Sequence, residues 1–139
     1  MAYWLVKSEP DAFSWDEQVA NGVEPWTGVR NHQAKKNLAA MKAGDRAFFY
    51  HSNVQRAIVG VVEVVREGYP DPTAETDKWV CVDVKAIAPM PTPVTLAQIK
   101  AEPTLEDLAL VRQSRLSVCP VSAEHWQILC DMGGWQEPT

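Results

Sequence analysis

The sequence predicts a mixed or antiparallel α+β domain in which about five strands form a barrel flanked by short α-helices. The first observation is that strand-like apolar runs and short helix signals follow one another without the regular alternation of a doubly wound parallel sheet. The second is size and composition. A chain of 139 residues, 46% hydrophobic and 22% charged, is typical of one globular domain, which we assign to residues 1–139.

The first strand is predicted at Tyr3–Ser8, where a short apolar run is stopped by a following proline, Pro10. Ser14 and Glu17 then have the spacing of a capping box, which predicts the start of a short helix. Gly22 is the residue type that ends such a helix. A strand and a capped helix are therefore expected before the first long loop.

Residues 25–31 are predicted to form a loop whose last residue, Asn31, is the N-cap of a second helix. The apolar positions of that helix keep a helical spacing at Ala34, Leu38 and Met41. Backbone N–H groups at a helix start, together with Arg30, favour an anion such as a phosphate. The alternative is that Trp26 is a core residue and Arg30 a surface charge.

The centre of the chain predicts two strands joined by a turn, at residues 46–52 and 57–65. Because side chains alternate across a strand, the first of these has two distinct faces. One face carries Phe48, Tyr50 and Ser52, and the other carries Ala47, Phe49 and His51. Gly60 interrupts the bulky second strand, which indicates a bulge, a ligand or a close backbone approach, or simply a packing requirement.

The second half of the chain predicts a loop at residues 66–78 and a half-buried strand at residues 79–86, where apolar and polar residues alternate. Residues 89–93 contain three prolines and are expected to form an extended connector at an edge or outside the sheet. A last strand is predicted at residues 113–121, before a closing helix capped by Ser122. Two short helices are predicted between the proline-rich connector and the last strand, from the pairs Thr95 with Gln98 and Thr104 with Asp107.

The strand and helix patterns also predict the core. Its members are the apolar residues of the predicted strands and of the closing helix, Leu5, Phe49, Val59, Val61, Val82, Leu116 and Trp126.

Charge and cysteine content bound the function. The formal net charge is −5, which argues against a protein that coats nucleic acid without specificity. The charge is uneven, since residues 1–60 carry a net +1 and residues 61–139 a net −6, so either a local basic surface or ordinary solvated charge is expected in the first part.

The cysteines and the apolar segments indicate a compartment. Cys81, Cys119 and Cys130 lack a Cys-x-x-Cys pair, which favours reduced thiols in a cytoplasmic protein. No stretch is apolar enough for a membrane span, and residues 1–7 do not resemble a signal peptide.

The sequence offers little for catalysis. Nucleophile elbows, phosphate-binding glycine loops and dinucleotide fingerprints are missing from it, and its three histidines lack metal spacing, so neither a cofactor nor a metal is expected. His51 and Ser52 are neighbours in a strand and therefore point to opposite faces, so they cannot form a pair of nucleophile and base within that strand.

The sequence offers more for binding a nucleobase, because aromatic rings stack on a base while amides and hydroxyls contact its edge. The residues of suitable type are Trp4, Trp26, Arg30, Asn31, Tyr50, Ser52, Trp79 and Ser114.

Several segments together resemble the EVE domain family. They are residues 4–10, residues 26–31 with Ala34 and Asn37, and residues 49–52, 69–71, 114–118 and 120–121, in that order. The resemblance covers essentially the whole chain. The family belongs to the PUA-like superfamily and is related to the YTH and ASCH domains. The resemblance implies a five-stranded, barrel-like sheet flanked by helices, with a pocket for modified bases of DNA or RNA.

The resemblance also implies which residues line that pocket. Trp26 is implied as a wall of the pocket, and it is the one residue of this chain that aligns with the aromatic cage that the related YTH readers use for a methylated adenine. The other implied positions are Lys7 and Ser8 at the edge, Thr27 and Gly28 through their backbone, Arg30 and Asn31 at the rim, Tyr50, His51 and Ser52 at the floor or far wall, and Trp79, Ser114 and Arg115. Phosphate attraction is assigned to Arg30, Lys35 and Lys36.

The leading interpretation is a monomeric, noncatalytic module that binds a flipped or single-stranded modified nucleobase of DNA or RNA. A small enzyme acting on nucleotides, with Arg30, His51 and Ser114 as its polar groups, is the alternative. A scaffold protein with a vestigial pocket is a third possibility. The sequence leaves the modified base itself open.

Overall fold

The computed structural model describes residues 1–137. Its strands within that range are β1 (Tyr3–Ser8), β2 (Val23–Pro25), β3 (Arg46–His51), β4 (Ala57–Pro70), β5 (Val80–Thr95) and β6 (Val118–Val121). Its α-helices in the same range are α1 (Trp15–Asn21), α2 (His32–Ala40), α3 (Leu96–Ala101), α4 (Ala109–Arg112) and α5 (Ala123–Gly133), and a 3₁₀ turn spans Pro103–Leu105. No helix in this range is long and apolar enough to cross a membrane.

The strands form one mixed sheet in the order β2-β5-β4-β3-β1-β6. β1 pairs with β3 in parallel, and the other pairs are antiparallel. The mixed α+β class is therefore confirmed. The five-stranded barrel is not: within residues 1–137 the sheet has six strands, and its edges β2 and β6 do not pair with each other. The additional strand, β2, is only three residues long, too short to show an alternating pattern.

β5 and β4 are both longer than predicted. β5 continues through the proline-rich segment to Thr95, and β4 continues to Pro70. β2 pairs only with Asp83 to Lys85, so the later half of β5 has a neighbouring strand on one side alone. Proline lacks an N–H donor, and it is tolerated there because the open side of the strand needs none.

The last predicted strand is shorter than expected. β6 is limited to Val118–Val121, and residues 113–117 form a turn instead. Lys7 N donates to Ser117 O at 2.9 Å, the last backbone contact with β1 before the chain turns away. The correction matters because it places Ser114 and Arg115 on an exposed turn and not on a strand face.

Local capping signals predicted most helix starts correctly. Ser14 and Thr95 each form a complete capping box, and Asn31 and Ser122 each accept a hydrogen bond at the start of α2 and α5. The helix expected from Thr104 is wrong, because the side chain of Glu102 caps the short 3₁₀ turn there. The helix that follows the loop of residues 26–31 thus begins where Asn31 predicted it.

The seven predicted core residues are all buried, which confirms their assignment. Trp126 of α5 stacks on Phe48 of β3 with ring centroids 3.9 Å apart, and on Tyr3 of β1 at 4.6 Å. On the other face of the sheet, the Trp15 ring covers Gly60 of β4. The three cysteines are free and buried. α5 and α1 thus fix the sheet that carries the site described below.

Candidate functional site

The largest described cavity, of about 580 Å³, lies where β1 ends beside the loop of residues 26–31, and we call it the main cavity. Its size falls in the usual range of ligand pockets, about 300 to 1,000 Å³. It is lined by Lys7, Ser8, Glu9, Ala12, Phe13, Glu24, Pro25, Trp26, Thr27, Gly28, Val29, Arg30, Asn31 and Ser117. Seven of the thirteen predicted pocket residues lie together here.

Trp26 is a fixed wall of the main cavity. Its backbone N–H donates to Val82 O at 2.7 Å, and its ring meets the Phe49 ring edge-on at 5.5 Å. Phe13 approaches the same ring at 6.1 Å from the cavity side. Only 7% of Trp26 is exposed. The residue therefore belongs to the core through one face and borders the cavity as well, so the two sequence interpretations of Trp26 are compatible.

The loop of residues 26–31 is stabilised by hydrogen bonds to a buried carboxylate, that of Asp71. Its oxygens accept hydrogen bonds from the Gly28 N–H at 2.8 Å, from the Thr73 N–H at 2.7 Å and from the Thr73 hydroxyl at 2.7 Å. Gly28 has a φ of 84°, a conformation that favours glycine. Burial alone raises the pKa of Asp71, but hydrogen bonds from Thr73, Gly28 and Arg30 outweigh it and lower the pKa to about 2.

Arg30 braces the same loop. Its Nη1 lies 3.0 Å from an Asp71 oxygen and also donates to Val29 O at 3.0 Å, while its Nη2 donates to Thr73 Oγ1 at 3.2 Å. The guanidinium is 38% exposed at the cavity rim. Because its charge is balanced by Asp71, Arg30 is a weaker attractor of phosphate than its sequence position indicates.

The end of β1 also lines the main cavity, through Lys7 and Ser8. Lys7 Nζ donates to Ser114 O at 2.9 Å, which leaves two ammonium hydrogens for other acceptors. Partial burial lowers the pKa of Lys7, and the nearby Cys119 opposes this shift. The Ser8 hydroxyl donates to the backbone carbonyl of Phe13, which fixes the chain where it leaves the sheet.

Tyr50, Ser52 and Ser114, predicted as pocket residues, line a different cavity. This second cavity, of about 310 Å³, shares Lys7 with the main cavity. It is lined by Lys7, Tyr50, Ser52, Asn53, Arg56, Leu96, Lys100, Leu110 and Ser114.

His51 is buried on the other face of β3. Its Nε2 accepts the Trp15 N–H at 2.9 Å, and its Nδ1 lies 2.6 Å from Gln55 Oε1. His51 is therefore engaged in structural hydrogen bonds at the start of α1.

Trp79 and the remaining basic residues lie outside the main cavity. Trp79 stacks on His32 at 5.0 Å, and Lys35 Nζ lies 5.8 Å from the Trp79 ring centroid. Lys36 is exposed on α2. Arg115 lines a third cavity, of about 330 Å³, that shares Asn31 with the main cavity and Ser114 with the second. Neither Trp79 nor these three basic residues line the main cavity.

Sequence reasoning missed several residues of the main cavity, including Phe13, the carboxylates Glu9 and Glu24, and Ser117. Asp71 belongs to residues 69–71, one of the segments that resemble the family. Nothing in the local sequence shows that its carboxylate accepts a hydrogen bond from the Gly28 N–H, 43 positions away. In residues 1–137, no three His, Cys, Asp or Glu side chains are grouped as a metal site requires.

Comparison with known proteins identifies the family. The family model described as EVE domain matches residues 2–132. A protein of Rhodopseudomonas palustris, solved by NMR, is 61% identical with a TM-score of 0.93, over 99% of this chain and 97% of that one. Thymocyte nuclear protein 1 of Gallus gallus is 34% identical in an alignment of 164 positions, which covers 94% of this chain and 68% of the relative.

A crystal structure of human THYN1 protein in complex with DNA containing 5-methylcytosine is similar over 99% of this chain and 100% of that one. Its TM-score is 0.90, and the sequences are 32% identical. The likeness extends over the whole sheet and over the loop that walls the main cavity. This chain belongs to the EVE domain family.

Proposed function

We propose that this protein is a noncatalytic DNA-binding module that accepts a methylated cytosine in the main cavity. The observation that carries the proposal is the cavity itself, with the fixed Trp26 ring on one side and the Lys7 side chain at its edge. The similarity to a protein whose structure contains 5-methylcytosine DNA supports the choice of base.

The lining of the cavity matches the chemistry of cytosine. The Trp26 and Phe13 rings offer apolar surface for stacking, which is worth about 1 to 3 kcal/mol per base. The carboxylates of Glu9 and Glu24 are acceptors of the type that pairs with the exocyclic amine of cytosine. Because a base inside a duplex cannot reach a recessed cavity, the target has to be flipped out or single-stranded.

The catalytic alternative has less support. Its three proposed groups, Arg30, His51 and Ser114, do not converge on one cavity. Arg30 is paired with Asp71, His51 is buried against Trp15, and Ser114 borders the second and third cavities. A general base has to lie within hydrogen-bond reach of the group it deprotonates, and this arrangement does not offer one.

We also propose that the protein acts as a cytoplasmic monomer and prefers DNA to RNA. The free, buried cysteines suit a reducing compartment. The DNA preference rests on the similarity to the human complex.

Fluorescence anisotropy with matched oligonucleotides tests the function. The strands differ only in one 5-methylcytosine, and each is presented as single-stranded DNA, duplex DNA and single-stranded RNA. We expect the methylated DNA to bind more tightly than its unmodified partner. Equal affinity for methylated and unmodified strands in all three forms would contradict the proposal.

A further inference from the structure

The second cavity differs from the main cavity in its charge. Three of its lining residues, Lys7, Arg56 and Lys100, are cations, and none of its lining residues is a carboxylate. The ion pairs found within residues 1–137 include none of these three cations. In a chain with a net charge of −5, such a concentration of unpaired positive charge favours an anionic ligand.

Several donors of this cavity have no hydrogen-bond partner among the described residues. Arg56 Nε donates to Asn53 O at 2.9 Å, and in the described residues its two terminal nitrogens make no hydrogen bond. The Tyr50 hydroxyl likewise has no hydrogen-bond partner in residues 1–137, although the residue is only 3% exposed. Burial raises the pKa of Tyr50, and the charge of Arg56 opposes this, so the hydroxyl remains protonated as a donor.

We infer that the second cavity is a phosphate-binding site, in which Lys7, Arg56 and Lys100 supply charge and Tyr50 and Ser52 supply hydroxyl donors. Arginine and lysine side chains beside hydroxyl groups are the donors that most often contact phosphate oxygens. Three of these residues, Lys7, Tyr50 and Ser52, were expected from the sequence to contact a base, and in this proposal they contact a phosphate.

Lys7 lines both cavities, so the two cavities adjoin each other. In this proposal, a nucleotide whose base occupies the main cavity reaches the second with its phosphate. This placement of the phosphate on the same strand rests on the proposed function, whereas phosphate binding itself does not. A free phosphate or phosphate monoester has the same chemistry, and the two sources are separable by experiment.

The first experiment titrates ¹⁵N-labelled protein with inorganic phosphate at constant ionic strength, with chloride as the reference anion. We expect specific amide shifts at Ser52, Arg56 and Lys100, and about fivefold weaker phosphate binding in Lys100→Gln. Lys85→Gln, an exposed lysine of β5 outside the cavity, is the matched control and should bind as the parent does. Chloride-like shifts, or equal affinities for the two variants, would overturn the inference.

The second experiment separates the sources of phosphate. The parent protein and Lys100→Gln are compared on a 5-methylcytosine strand whose flanking linkages are either phosphodiester or neutral methylphosphonate. The neutral linkage should weaken the parent about fivefold and Lys100→Gln by a clearly smaller factor, because one of the three cations that attract the phosphate is already lost. Phosphate binding in the first experiment with equal methylphosphonate effects in the second would limit the site to free phosphate and overturn the placement on the strand.

Both experiments are repeated with Arg56→Gln. Arg56 lines the same cavity but lies outside α3, so a loss of binding in this variant excludes an effect limited to that helix. Discrimination between methylated and unmethylated strands is recorded in parallel. Its absence, with phosphate binding retained, would refute the proposed function alone.

Discussion

The Asp71 carboxylate accepts a hydrogen bond from the Gly28 N–H at 2.8 Å, across a sequence separation of 43 residues. Asp71 follows the end of β4, whereas Gly28 lies in the loop that walls the main cavity. The position of Trp26, two residues before Gly28, therefore depends on a contact with the residue that follows β4. The shape of the cavity is set by this tertiary contact as well as by the local sequence.

Replacing Asp71 by Asn should destabilise the protein by about 1 to 3 kcal/mol. The amide cannot accept hydrogen bonds with both of its polar groups, so buried donors of Gly28, Thr73 or Arg30 lose their partner. Urea denaturation measures the loss. Asp77→Asn, at an exposed position of the same connection, should change the free energy of unfolding by less than about 0.5 kcal/mol. Equal effects of the two variants would contradict the role given to Asp71.

Asp71 also predicts how stability depends on pH. Its pKa is lowered in the folded state from 3.8 to about 2, so its contribution is complete above about pH 4 and is lost as the pH falls toward 2. The free energy of unfolding should decrease by up to about 2 kcal/mol over that interval through this group alone. Asp71→Asn should show a correspondingly flatter dependence between pH 4 and pH 2. An identical slope in parent and variant would show that Asp71 titrates normally.

Gly60 predicts a second kind of destabilisation. A Cβ added there would lie 2.5 Å from three carbon atoms of the Trp15 ring, and a buried indole has little room to move. Gly60→Ala should cost about 1 to 3 kcal/mol or more by overpacking. At Gly68 an added Cβ meets the Ala39 Cα at 3.6 Å, an ordinary contact. Gly68→Ala is therefore the matched control, and comparable losses in the two thermal melts would refute the steric account.

The sequence predicted the local features of the fold well. The capping boxes at Ser14 and Thr95 and the cap at Asn31 involve residues within three positions of each other, so one short segment determines them. β2 is different, because its pairing with β5 joins segments about 60 residues apart. The prolines of β5 were predicted at an edge or outside the sheet, and which of the two applies depends on where β2 stops.

The candidate site was predicted in part. The predicted pocket residues of β1 and of the loop before α2 line one cavity. The alternation of β3 correctly placed His51 and Tyr50 on opposite faces, but it did not show that Trp15 would occupy the His51 side. Tyr50 instead lines the second cavity, where Lys7 Nζ and Ser114 O are in contact. Such contacts between distant segments are not encoded in periodicity.

The lysines of α2 predict a test of backbone attraction. Lys35→Gln together with Lys36→Gln should weaken methylated and unmethylated strands alike, because a phosphate contact carries no base information. The slope of log affinity against log salt should become shallower by about 0.7 for each cation that contacts a single strand. Lys85→Gln serves as the charge-matched control. An unchanged slope in the double variant would show that this face of α2 lies away from the strand.

Trp26 predicts the opposite pattern, a loss of base discrimination with little change in salt dependence. Trp26→Ala removes the stacking surface, and base stacking is worth about 1 to 3 kcal/mol, so binding of the methylated strand should fall about tenfold or more. Because Trp26 also packs on Phe49, the alanine variant loses stability, and Trp26→Phe is the milder companion that keeps a ring at the wall. Trp135→Phe, a similarly buried tryptophan beside Trp126 and outside the main cavity, controls for the loss of core packing. Anisotropy on paired methylated and unmethylated strands at two salt concentrations, with folding checked by circular dichroism, gives the comparison. If Trp26→Phe and Trp135→Phe alter binding equally, or if Trp26→Ala weakens both strands by the same factor, the ring is structural and the base does not stack on it.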